Sequence, residues 1–244
     1  MNSSLSVSVE NVTKRFTGVK ALKCASMTFE ERRLHGIIGP AGAGKTTLLR
    51  IMLGLLNAGA GRVRYFQDGQ PVELKQIRDD IAYMPEKQSL YADLSIEEHM
   101  RFFADMYDID KATYLERSER LYAVTRLDKF KDRPAGKLSG GMYKKLGLMC
   151  ALLREPKMML LDEPTNGVDP ISRREFWDVL NEAAAQGILV IMTTAYMDEA
   201  ERCAKVHLIE NGHVLDEGDP AELLKKEGVE NFDKFFIKRA EING

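Results

Sequence analysis

Apolar positions divide the 244-residue chain into stretches of different texture. In Ser8-Val9-Glu10-Asn11-Val12 and Met27-Thr28-Phe29, apolar and polar residues alternate, as in antiparallel strands with one buried face. Arg62 to Phe66 and Pro71-Val72, parted by Asp68-Gly69, read as a hairpin of the same kind. Leu34 to Ile38, Met158 to Leu161 and Gly187 to Met192 are continuous apolar runs, the pattern of parallel strands buried on both faces. From Ser95 to about Pro134 the period becomes helical, where the capping box Ser95-Ile96-Glu97-Glu98 leads into Met100, Phe102, Phe103 and Met106. Val206 to Glu210 and His213 to Leu215 flank Asn211-Gly212, a type I′ hairpin signal. Glu230 to Gly244 is charged and aromatic without a motif. Strands and helices recurring in this way predict an α/β chain.

The run ending at Ile38 is followed by Gly39-Pro40-Ala41-Gly42-Ala43-Gly44-Lys45-Thr46, and then by a helical pattern from Thr47 to Leu53. A G-x-x-x-x-G-K-[ST] segment between strand and helix is a phosphate-binding loop. Its glycines let backbone N–H groups converge on phosphates, and the helix N-terminus adds about half a positive charge. Gly39 to Thr47 are therefore expected to hold a nucleotide, with Lys45 reaching the β- and γ-phosphates and Thr46 ligating Mg²⁺. The plain alternative is a Gly-rich turn ending in a helix cap; the strand before and the helix after weigh against it.

The run from Met158 ends in Asp162-Glu163. Ligands of open α/β sheets bind at the carboxyl ends of the strands, so both acids are expected at the nucleotide. Asp162 is placed to hold Mg²⁺, and Glu163 to orient or deprotonate the attacking water. Capping of the next helix would explain one of these carboxylates but not both.

Leu138-Ser139-Gly140-Gly141-Met142 opens a further predicted helix, Met142 to Arg154. By itself it reads equally well as an ordinary Ser-capped helix. With the preceding motifs in this order, however, the chain resembles the ATP-binding subunit of an ABC transporter from about Val7 to Gly218. The resemblance implies a P-loop NTPase fold: a mixed core sheet flanked by helices, an antiparallel β subdomain and a helical insertion. It places the core and β subdomain at about 1–86 and 136–220, the helical subdomain at about 87–135, and a C-terminal helix or tail at 221–244. It further implies that Ser139, Gly140 and Gly141 contact the γ-phosphate of ATP held by an opposing subunit. Asn166-Gly167-Val168-Asp169 resembles the loop that crosses the dimer interface, and Asp169 before Pro170 is also a helix N-cap. Phe16 stands where the family stacks an aromatic on adenine, or is a core residue of the first strand.

Three positions depart from the family. Glu86, in Tyr83-Met84-Pro85-Glu86, replaces a glutamine; its carboxylate can still reach Mg²⁺ or the water, and Gln88 is nearby. Met142 replaces the last glutamine of the signature. Ala195, in Thr193-Thr194-Ala195-Tyr196, replaces a histidine that touches the γ-phosphate, and His35, His99, His207 and His213 offer no obvious substitute. Met142, Pro170 to Glu175 and Tyr196 to Glu201 resemble the ATPases of bacterial exporters of drugs or polysaccharides.

The resemblance implies ATP and Mg²⁺ as cofactors, with a second ABC ATPase domain as partner, either another copy or a tandem homologous domain. It also implies a separate integral membrane permease, hence a cytoplasmic chain peripheral on the inner face of the membrane. Ala195 leaves open a slow or non-hydrolysing ATP-binding domain paired with an active one. A soluble, non-transport ABC protein is the third reading, opposed by the lack of sustained heptads and of a basic surface. With 35 basic against 37 acidic residues, no nucleic-acid partner is expected. Cys24, Cys150 and Cys203 lack any paired or metal-like spacing. No apolar run approaches the ~18 residues of a membrane helix, and Met1-Asn2-Ser3-Ser4 opens no signal peptide.

Overall fold

The computed structural model describes residues 3–87 and 90–243, with side chains to 239; Gln88 lies outside them. The chain starts with β1 (Leu5–Phe16) and β2 (Val19–Phe29), joined by a tight turn. Next come β3 (Leu34–Ile38), α1 (Lys45–Met52), the hairpin β4 (Ala60–Gln67) and β5 (Gln70–Val72), the short α2 (Leu74–Ile77) and β6 (Ile81–Met84). After α3 (Ile96–Met106), α4 (Lys111–Thr125) and α5 (Gly140–Leu152), the chain returns to β7 (Met158–Asp162), α6 (Pro170–Ala185) and β8 (Leu189–Thr194). It ends in β9 (Lys205–Glu210), β10 (His213–Gly218), α7 (Pro220–Glu227) and α8 (Phe232–Asn243).

Two sheets form. One is antiparallel, in the order β2-β1-β4-β5; the other is six-stranded and mixed, in the order β10-β9-β3-β8-β7-β6. In the mixed sheet only β9 and β10 pair antiparallel. Its central strands are buried on both faces, which is why they read as continuous apolar runs. Ile37, Leu160, Leu189 and Ile191 meet α1 and the antiparallel sheet, whereas Ile38, Met159, Leu161, Val190 and Met192 meet the helices of the opposite face. The α1 side chains Leu48, Leu49 and Met52 fill the space between the sheets, which fixes the helix that follows the glycine loop.

The helical stretch has a closed neck. Ala135 N–H donates to Leu94 O and Gly136 N–H to Ala92 O, while Ile96 and Glu97 N–H reach Arg133 O and Lys131 O. Ser95 caps α3 by accepting from Glu98 N–H, and the Glu98 carboxylate accepts from Ser95 N–H, so the predicted capping box is present. Inside, Glu97 accepts from the hydroxyls of Tyr114 and Tyr122 and so ties α3 to α4.

Several boundaries differ from the sequence reading. The signature helix begins at Gly140 rather than Met142, because Ser139 is its N-cap. The strand predicted from Gly187 starts at Leu189, since Gly187 takes φ 95° in the turn leaving α6. The stretch after Glu230 forms α8, which buries Phe232, Phe235 and Phe236 against the helical face of the core. Asn211 and Gly212, with φ 49° and 80°, make the expected β9–β10 turn.

A buried polar chain crosses the far end of the mixed sheet. His35 Nδ1 lies 3.2 Å from His207 Nε2, and His207 Nδ1 lies 2.8 Å from a Glu217 carboxylate oxygen. With both rings neutral, His35 donates to His207, His207 donates to Glu217, and His35 Nε2 accepts from Glu30 N–H at 3.1 Å. Burial, then the neighbouring His207 ring, push the His35 pKa down to about 3, and burial also lowers His207. The unfolded chain therefore binds protons that the folded chain refuses once the pH drops below about 6.5. Stability is expected to be complete above that pH and to fall by about 1.4 kcal/mol per unit for His35 alone as the pH approaches 3. Urea unfolding between pH 7.5 and 4.5 tests this, with His35→Gln expected to flatten the profile; parallel profiles would refute it.

Candidate functional site

The carboxyl ends of β3, β7 and β8 open onto a cavity of about 420 Å³ lined by Ala41 to Thr47, Val19, Ala21, Glu86, Glu163, Asn166, Ala195 and Tyr196. Gly39, at the exit of β3, packs so closely that a Cβ would overlap the carbonyl oxygen of Ile209 on β9. Gly44, with φ 108°, is both the N-cap of α1 and a residue whose Cβ would overlap Ala21 O. The β9–β10 turn braces the loop from behind, through Gly212 N–H to Ala43 O at 3.0 Å. These contacts hold the loop and the α1 N-terminus at the wall of the cavity, the arrangement that binds phosphate.

The buried Lys45 ammonium donates to Gly39 O at 2.6 Å and Pro40 O at 3.0 Å, and pairs with Glu163 Oε1 at 3.0 Å. The other Glu163 oxygen accepts from Ala195 N–H at 3.0 Å. Glu163 itself has φ 45°, a left-handed conformation costing a non-glycine residue about 1–2 kcal/mol. The bond from its N–H to Thr193 Oγ1, at 3.0 Å, holds that turn. Asp162, fully buried one residue earlier, accepts on Oδ1 from Thr46 at 2.9 Å and from Thr193 at 2.8 Å.

Thr46 and Asp162 thus offer two hard oxygen donors side by side, the donor type that suits Mg²⁺. Among the described residues no group of three His, Cys, Asp or Glu side chains is arranged to hold a metal ion. The protein supplies a partial ligand set that phosphate oxygens and water can complete, which fits a metal arriving with a nucleotide.

Other sequence-derived candidates lie outside this cavity. Ser139 caps α5, accepting from Met142 N–H at 3.3 Å, and Asp169 caps α6, accepting from Ile171 and Ser172 N–H. A Cβ on Gly141 would overlap the Ser172 side chain, so the N-termini of the two helices abut. Ser139, Gly140 and Asp169 are exposed and Gly141 is buried against Ser172; the four form this second cluster, and none of them lines the cavity. Phe16 does not line it either; it is exposed beside the cavity, directly opposite Val19, with Lys14 Nζ 5.4 Å from its ring centre. None of the histidines named from the sequence lines the cavity. Position 195 contributes its backbone N–H, and Tyr196 reaches Asn166 Oδ1 at 3.4 Å.

Sequence reasoning passed over Thr193, which holds both Asp162 and Glu163. A polar residue at the carboxyl end of a buried strand was its signal, the same one that marks Asp162. A larger cavity of about 720 Å³ lies at the opposite end of β7, between α4 and α6. It contains none of the candidate residues, and its Arg117 and Arg120 are both paired with Glu155.

A family model described as ABC transporter matches residues 22–166. The probable multidrug ABC transporter ATP-binding protein YbhF of Escherichia coli is 40% identical over 231 residues, 91% of this chain and 39% of YbhF. This chain therefore spans about two fifths of that relative. The Nod factor export ATP-binding protein I of Ralstonia nicotianae is 32% identical over 222 residues, covering 91% of this chain and 69% of its own. Among solved structures, an ATP-binding subunit of an ABC transporter superposes with a TM-score of 0.81 at 27% identity, covering 95% of this chain and 98% of its own. The cbiO1 protein of Clostridium perfringens, part of the complex cbiONQ, gives 0.80 at 27% identity and 91% of each chain. The strand–loop–helix cradle, the paired acids and these similarities lead to one assignment: this chain is an ATP-binding member of the ABC transporter family.

Proposed function

We propose that this chain binds ATP with Mg²⁺, hydrolyses it, and drives export through a separate membrane permease from the inner face of the membrane. The observation that carries this reading is the grouping of Lys45, Thr46, Asp162 and Glu163 around one glycine cradle. Lys45 is held by Glu163 and two loop carbonyls; a bound nucleotide would take it over, leaving Glu163 to turn to the attacking water. Ala195 N–H anchors the Glu163 carboxylate during that turn. Thr46, Asp162 and Glu86 would hold the metal, which would neutralise charge on the β- and γ-phosphates. Phe16 borders the base.

Two such sites work together in this proposal, the partner being a second copy or a tandem homologous domain. The cluster of Ser139, Gly140, Gly141 and Asp169 closes over the partner's nucleotide, as the two adjoining helix N-termini favour an anion there. The exposed aromatic edge where Tyr91 meets Phe102 of α3 edge-to-face at 5.4 Å, with Met106 exposed on the same helix, is the face assigned to the permease. No helix among the described residues is long and apolar enough to cross a membrane.

Equilibrium binding of ATP to the purified chain tests the reading. Removing Lys45 deletes charge-assisted hydrogen bonds to phosphate, so Lys45→Ala is expected to weaken binding roughly a hundredfold. Unchanged affinity would reject the site.

A further inference from the structure

The nucleotide cavity is rich in carboxylates for a pocket meant to receive a polyanion. Glu86 and Glu163 line it, and Asp162 lies behind Thr46, while Lys45 is the lysine of its lining. A further cation stands on α5: Lys144 Nζ donates to the Glu86 carbonyl oxygen at 2.7 Å. The residue before it, Tyr143, accepts on its hydroxyl from Leu90 N–H at 2.9 Å, so α5 grips the segment after β6 at both of its described ends. Lys144 is half-buried. One ammonium therefore sits against Glu86, at the wall of the cavity that a triphosphate would enter.

We propose that Lys144 is a positioning residue of the nucleotide site, a counter-charge that offsets Glu86 so that this acidic cavity accepts a nucleoside triphosphate. The inference rests on the ATP-binding reading above. Lys45 alone leaves the three carboxylates two positive charges short of balance; Lys144 halves that remainder. Its bond to the Glu86 backbone fixes where the ammonium stands.

The experiment measures binding of a fluorescent ATP analogue in EDTA, where no metal masks the repulsion. Lys144→Met is expected to weaken binding roughly tenfold, and Lys144→Arg by less than about twofold, because charge rather than shape is what matters. Glu86→Gln alone is expected to tighten binding, an arm that stands even if Lys144→Met does not fold. The double variant Glu86→Gln with Lys144→Met should return to within about threefold of the unmodified chain. A purely mechanical role would be lost in Lys144→Met whatever the charge at residue 86. A double variant as weak as Lys144→Met therefore overturns the proposal, as does unchanged binding by Lys144→Met or weaker binding by Glu86→Gln. Unchanged binding by Lys45→Ala would instead reject the nucleotide site itself.

Discussion

Glu163→Gln is expected to slow phosphate release by about 10²- to 10⁴-fold while leaving ATP binding intact. The amide keeps the shape of the side chain and one oxygen for Ala195 N–H, but it cannot take a proton from water. It also cannot form the ion pair with Lys45, which stands at 3.0 Å in the unmodified site. ATP then no longer has to displace a carboxylate from Lys45, so affinity is expected to hold or rise. On size exclusion with ATP and Mg²⁺, the variant should accumulate as a nucleotide-held dimer that the unmodified chain only visits. Phosphate release measured beside the elution profile separates the outcomes. Equal rates in the two proteins would mean that Glu163 is not the base and that any turnover belongs to a companion domain, the situation Ala195 raised from the sequence.

The second large effect is expected at Gly39. An added Cβ there overlaps the Ile209 carbonyl, part of the β9 backbone, and backbone cannot step aside as a long side chain can. Gly39→Ala has to push the loop off β9, at a cost of about 3 kcal/mol. The same movement shifts the Gly39 carbonyl that holds Lys45 at 2.6 Å, so ATP binding should fail together with stability. Gly42 is the control: it has φ 80° and open space around its would-be Cβ, so Gly42→Ala carries only the left-handed penalty of about 1–2 kcal/mol. Urea midpoints of the two variants decide it. A Gly39→Ala midpoint no lower than that of Gly42→Ala would show that the close packing on β9 does not restrain the loop.

The elements around the cradle were legible because local and tertiary demands coincide there. A strand buried on both faces must be apolar throughout, so the polar residues at its carboxyl end stand out, and Asp162 and Glu163 were visible for that reason. What stayed hidden depends on chain segments remote in sequence. Gly44 is pinned by Ala21 O and Gly39 by Ile209 O, and neither neighbour could be named without the pairing of the sheets. The same holds for Ala195, read from the sequence as the loss of a side chain; its backbone N–H, which any residue would supply, is what reaches Glu163. In α8, Phe232, Phe235 and Phe236 carry helical spacing, but Asp233, Lys234, Lys238 and Arg239 between and after them mask the short apolar face. Ser139, Gly140, Gly141 and Asp169 were recognisable as a group from their order along the chain, and the structure gathers them at two abutting helix ends away from the cavity.

The closed neck at residues 92–97 and 131–136 has a consequence for how such a chain can diversify. The polypeptide leaves the core and re-enters it at a single point, where Ser95 and Pro134 face each other across an antiparallel bridge. Whatever lies between can lengthen, shorten or change its surface without altering the distance the core must span, so the loop-closure entropy of the rest is untouched. Recombination at this point would exchange α3 and α4 as a cassette while Lys45, Asp162 and Glu163 keep their register. A lineage built on this plan can change this helical face without re-evolving its engine.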